Sequence, residues 1–167
     1  MKKIKLILST IVILSIILSS CKADDLDRLD KSKITTGAIL RTLSSDLPAV
    51  SNTDPNVTNL TVNVEFDDFL NQDTLESVEV FCSFVDTSPV ENKLLEFEEA
   101  KLGSVAASSF TRADNGKLQG TITTNIGEAM SSIGVSQSQI YGGDVFLLRL
   151  SLNTTNGGVF TSTNVGT

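Results

Sequence analysis

The sequence predicts an all-β protein, an antiparallel two-sheet sandwich of immunoglobulin type with one short helix. Three observations carry this. Thr58 to Phe66 alternates Leu60, Val62, Val64 and Phe66 with Asn59, Thr61, Asn63 and Glu65, the period-2 pattern of a strand with one wet face. Ser77 to Val85 is apolar on both faces, Val78, Val80, Cys82 and Phe84 against Phe81 and Val85, which suits a central strand. Turn signals recur between short apolar runs over residues 37–167, with one helical crossover among them.

Taken in order, Gly37 to Leu43 reads as the first strand, and Ser44 to Val57 as a loop holding Pro48 and Pro55. After the Thr58–Phe66 strand, Asp67 to Glu76 is a polar connection into the Ser77–Val85 strand. Asn92 to Leu102 mixes helix formers with Leu94, Leu95, Phe97 and Leu102, a composition that suits helix or strand. Residues 103–111 are small and loop-like and include Phe110, a core anchor. Asp114-Asn115-Gly116 is a turn into a strand over Lys117 to Thr124, with Leu118 and Ile122. Asn125 caps a helix over Ile126 to Ile133, with Glu128 at the third helical position and Gly134 where a C-terminal glycine belongs. Gly142-Gly143 turns the chain into Val145 to Leu152, and Asn156-Gly157-Gly158 is a hairpin turn into Val159 to Ser162. The expected core includes Val62, Val64, Val80, Phe84, Leu148 and Leu150.

The N-terminus carries a different signal. Lys2, Lys3 and Lys5 precede an apolar stretch from Leu6 to Leu18, and Leu18-Ser19-Ser20-Cys21 forms a lipobox. A spanning helix needs roughly 20 apolar residues, so the stretch suits a signal peptide better than a membrane anchor. Residues 1–20 are thus expected to be a lipoprotein signal, with Cys21 the lipidated residue. Residues 21–36 are polar and charged and read as a flexible tether, with a reach of roughly 20 Å. Residues 37–167 form the sandwich domain.

Removing three lysines with the signal takes the net charge from −7 to −10. Such acidity repels nucleic acid and leaves the N-terminal lipid as the expected attachment to a membrane. Cys82 has no intramolecular partner once Cys21 is lipidated, so no disulfide framework is expected; in its apolar run it reads as a small buried hydrophobe. The chain has no histidine and no tryptophan, and its single tyrosine is Tyr141. Without histidine there is no Ser-His-Asp or Cys-His pair and no imidazole-ligated zinc. The one Ser-x-x-Lys, Ser19 to Lys22, is severed by the signal cut. No catalytic residues, and no cofactor, are therefore expected.

Calcium is the one metal the acids suggest. Asp67, Asp68, Asp73, Asp86 and Asp144 fall at loop ends, and calcium gathers six to eight oxygens from such positions. Solvated loop acids are the plainer reading. Sugar faces stack on aromatic rings, and Tyr141 beside Gly142-Gly143 is the aromatic a loop would present.

Several stretches resemble known proteins. The lipobox followed by Lys22-Ala23-Asp24-Asp25 resembles the acidic export signal of Bacteroidota surface lipoproteins. Asp73-Thr74-Leu75 resembles the O-glycosylation acceptor of exported proteins in that phylum, with Thr74 as the acceptor. Gly37-Ala38-Ile39-Leu40-Arg41-Thr42, Gly142-Gly143-Asp144-Val145-Phe146 and Gly157-Gly158-Val159-Phe160-Thr161-Ser162-Thr163-Asn164 are similar to segments of uncharacterised Bacteroidota lipoproteins with an immunoglobulin-like domain. Those proteins are often associated with SusC/SusD-type uptake systems. The resemblance implies a lipid-anchored, surface-exposed outer-membrane protein with a protein partner there. It also implies a C-terminal truncation, because related chains continue past the last strand. Two function classes follow: a non-catalytic accessory or interaction domain of an outer-membrane complex, or a ligand-binding module for glycan or calcium-dependent adhesion.

Cys21 is expected to be the mature N-terminus and to carry lipid. Two or more acyl chains are needed for stable anchoring, which a triacylated cysteine supplies. Mass spectrometry of the membrane fraction should find acyl mass on Cys21, and Cys21→Ser should release the protein; a variant still held in membranes defeats the reading.

Overall fold

The structure, a computed structural model, describes residues 37–51, 53–68, 73–88 and 94–162. The expected signal (1–20), the tether (21–36) with Cys21, and residues 163–167 lie outside these. Two four-stranded antiparallel sheets pack together. The strands are β1 (Ile39–Asp46), β2 (Asn59–Asp67), β3 (Leu75–Val85), β4 (Ala100–Ala106), β5 (Thr111–Arg112), β6 (Leu118–Asn125), β7 (Val145–Thr154) and β8 (Val159–Phe160). One sheet has the order β1-β2-β6-β5 and the other β4-β3-β7-β8. This is the strand arrangement of an immunoglobulin-type sandwich with an added fourth strand on the second sheet. The chain crosses between sheets after β2, β4 and β6.

The alternation in β2 does what its period requires. Leu60, Val62, Val64 and Phe66 enter the core, and Thr61 and Asn63 meet Thr123 and Thr121 of β6 on the outer face. β3, apolar on both faces, is central as expected, between β4 and β7. Its inward residues Val78, Val80, Cys82 and Phe84 are all buried. The main cluster joins Val62, Val64, Phe66, Leu75, Val78, Val80, Phe110, Ile122 and Leu152. A second lies at one end, where Leu60, Phe84, Ile126, Met130, Val135 and Ile140 meet.

The helix of that second cluster, α1 (Ile126–Ile133), begins and ends as its sequence dictates. The Asn125 side chain accepts from the Gly127 and Glu128 amides, satisfying two of the orphan donors of the first turn. Gly134 closes the helix at φ 86°, a left-handed conformation that glycine adopts without strain. In β6, Gly120 has a second role: a Cβ there would meet the Phe110 ring at 2.8 Å. The ring lies flat over the glycine, which is how Phe110 becomes a core anchor.

Four expectations need correction. Ser44 to Asp46, read as loop, extend β1 because they pair with β2. Residues 103–106, read as loop, belong to β4, because pairing with the central strand β3 supplies hydrogen bonds that small residues accept as readily as large ones. β8 stops at Phe160 and does not reach Ser162. Leu148 and Leu150, expected in the core, are only half-buried, because among the described residues no strand covers that side of β7.

Phe84 is 4% exposed and stacks edge-on to Phe97 at 5.6 Å and against Phe146 at 5.1 Å. Phe84→Ala should therefore destabilise the fold by roughly 3–5 kcal/mol. Denaturant unfolding followed by circular dichroism checks this; an unchanged midpoint would remove Phe84 from the core.

Candidate functional site

The five candidate calcium ligands are divided between the two ends of the sandwich. Asp67 ends β2, Asp68 follows it and Asp73 precedes β3, whereas Asp86 follows β3 and Asp144 precedes β7. Each already has a partner. Asp67 accepts from Lys117 Nζ at 2.7 Å, Asp68 from the Thr74 amide and hydroxyl at 3.3 Å, and Asp73 pairs with Arg112. Asp86 accepts from the Ser88 amide at 2.8 Å and the Leu95 amide at 2.7 Å. Asp144 accepts from the Thr87 amide at 2.9 Å and the Tyr141 amide at 2.7 Å. These carboxylates hold loops by capping backbone donors, and among the described residues no three metal-ligating side chains converge. Thr74 is half-buried with its hydroxyl on Asp68. Tyr141 is 48% exposed in the loop before β7, with no tryptophan in the chain and no other exposed ring among the described residues.

Burial raises the Asp144 pKa, but the amides of Tyr141 and Thr87, with the Ser88 and Thr87 hydroxyls, outweigh it and hold the carboxyl below its usual range. Burial dominates at Cys82, whose thiol is pushed up to about 11, with Glu99 adding to the effect. A thiol so protonated is a poor nucleophile, in keeping with a packing role.

A polar cluster on the outer face of the first sheet went unread in the sequence. Glu65 is 3% exposed although it sits on the wet side of β2. Asn115 donates to it at 2.7 Å, Gln119 at 2.9 Å and Arg41 at 3.1 Å. The Asn115 and Gln119 hydrogen bonds, then the Arg41 charge, hold the Glu65 carboxyl below its ordinary value. Strand alternation puts Glu65 on that face; only the tertiary register brings β1, β6 and the 113–117 turn over it.

An apolar concavity lies elsewhere. A groove of about 1090 Å³ runs along one side of the sandwich between β1 with the following segment, including Leu47 and Val50, and β7 with β8. Its floor includes Leu40, Leu60, Val62, Leu148, Leu150 and Leu152; Glu99, Asp144 and Arg149 also line it. Of its lining residues, Leu47 is 59% exposed and Leu147 50%, with Val145 also exposed. Sequence reading missed this site. Its one signal was β7 itself, apolar on both faces yet followed by a hairpin whose second strand is short.

The same groove is bordered by a rigid outer contact. Arg149 stacks over Phe81 at 4.1 Å and forks onto Glu99, which holds the Glu99 carboxyl low. Lys101 similarly lowers Glu79 through its hydrogen bond.

These lowered carboxylates set a pH dependence. Their folded pKa values lie below the unfolded ones, so their stabilisation is complete above the ordinary glutamate value of 4.5 and is lost as pH falls through the depressed values. Melting temperature should be flat above that value and fall below it, and Glu65→Gln should make the fall shallower. An equally steep acid limb in the variant would remove Glu65 from the effect. No family model, no curated protein and no solved structure matches the chain.

Proposed function

We propose that this protein is a non-catalytic, lipid-anchored surface domain that acts as an accessory or interaction subunit of an outer-membrane complex. The observation that carries the reading is the apolar groove along β7, with exposed Leu147, Val145 and Leu47 at its margins. Exposed apolar surface of this kind marks interaction sites, because water is displaced from it on docking. A bare sheet edge in a soluble domain is otherwise a hazard that charges, bulges or a covering loop would blunt. The lipobox at Cys21 supplies the anchor in this reading, and the acidic Lys22-to-Asp25 segment the surface location.

The ligand-binding alternative has less to support it. A glycan platform needs presented rings, and among the described residues Tyr141 is the one exposed aromatic. Calcium-dependent adhesion needs gathered carboxylates, and the candidates sit at opposite ends on loop amides.

Affinity purification from intact outer membrane tests the reading. Wild-type protein should come down with a stoichiometric outer-membrane partner, and Leu147→Glu should lose most of it while keeping its circular dichroism spectrum. Recovery of the domain alone, with calorimetric binding of a purified polysaccharide, would overturn the proposal in favour of ligand binding.

A further inference from the structure

The strand that would close the groove is present only as a stub. β8 pairs with β7 at Leu152 and Asn153, after which Thr161 and Ser162 lie outside any strand. The Thr154 amide donates to the Gly158 carbonyl at 2.9 Å, so the even-numbered residues of β7 direct their backbone groups to this edge. By the same alternation the N–H and C=O groups of Leu150, Leu148 and Phe146 face the open side. Among the described residues no strand pairs with them there. Their side chains meanwhile pack inward, Leu148 and Leu150 on the main cluster and Phe146 on the end cluster. Free backbone groups and an apolar floor thus lie along one line of about 20 Å, from Val145 to Ser151.

We propose that the groove accepts one extended strand from a second polypeptide, antiparallel to β7 on the line of β8. Apolar side chains at alternate positions would lie against Leu150, Leu148 and Phe146, with threonine or lysine between them. This rests on the interaction reading above and names the chemistry of the partner. Strand addition is the recognition mode that uses both components, main-chain hydrogen bonds for affinity and alternate side chains for specificity. Among the described residues, Ser162 would stand opposite Leu150 if the register of Leu152 and Phe160 continued, which sets a polar side chain against an apolar floor, an unfavourable burial. A second copy is disfavoured by charge, because each chain carries −7. The same net charge, with Asp144 on the groove and Glu99 already paired with Arg149, favours a basic strand.

Amide hydrogen exchange by NMR on the full mature chain with Cys21→Ser tests this. The probe is a nine-residue peptide alternating valine or leucine with threonine or lysine. At roughly ten times its Kd, the amides of Phe146, Leu148 and Leu150 should exchange about tenfold more slowly. A peptide of the same composition with its apolar residues contiguous, or one N-methylated along the pairing edge, should leave them unchanged. Equal protection by the control peptides, or none by the alternating one, overturns the proposal. So does protection before peptide is added: in a monomer it assigns the groove to the chain's own residues, and in a concentration-dependent dimer to a second copy. If the membrane complex is recovered but the alternating peptide protects nothing, strand addition falls and the accessory reading stands; protection without any complex gives the reverse.

Discussion

Ten residues of β7 pair with β3, from Val145 opposite Val85 to Thr154 opposite Leu75. This ladder carries the sandwich, because it is the longest pairing in the second sheet and both hydrophobic clusters rest on it. Val78, Val80 and Leu152 join the main cluster, and Phe84 the end one. β4 is placed by pairing with β3, and β8 by pairing with β7. α1 then closes the end by setting Ile126 and Met130 beside Phe84. Among the described residues β3 has a neighbouring strand at each edge, while β7 has one along most of its length. The closed and open sides of the molecule follow from that asymmetry.

The acids show how a chain this negative folds without large repulsion. Asp86 and Asp144 take loop amides, so their charge is spread over hydrogen bonds that fix the turns at one end. Asp67 and Glu65 share Arg41 and are completed by Lys117, Asn115 and Gln119. A carboxylate can be taken from water only where donors replace the water, and every buried polar side-chain atom among the described residues has a partner. The acids that first suggested a cation site thus have a structural use in loops and on the outer face.

The groove relates to this in a simple way. Where polar groups are buried they are satisfied, yet the edge of β7 keeps apolar side chains half-exposed and backbone groups turned outward. The two properties come together because inward side chains and edge-facing backbone groups belong to the same alternate residues. A partner that supplies one extended strand meets both at once.

The sequence by itself determined the class and most of the elements. Leu60 to Phe66 alternates because one face is wet, and β3 alternates in burial as well, with Val78, Val80, Cys82 and Phe84 buried and Glu79, Phe81 and Ser83 between them half-buried on the outer face. The Asn125 and Gly134 caps are local, since they depend on side-chain reach and backbone freedom within a few residues, and so were legible directly. The β4 strand was not: Gly103, Ser104 and Ala106 have little strand preference, and β3 pairing recruits them. Glu65 looked like an ordinary wet-face acid until the register brought Arg41, Asn115 and Gln119 over it. Leu148 and Leu150 carried the apolar signature of a core, but burial requires something on the other side, and β8 ends at Phe160. Which side of the sandwich stays open is decided by pairing between distant segments, and hydrophobic pattern alone cannot distinguish a residue that is covered from one that awaits a cover.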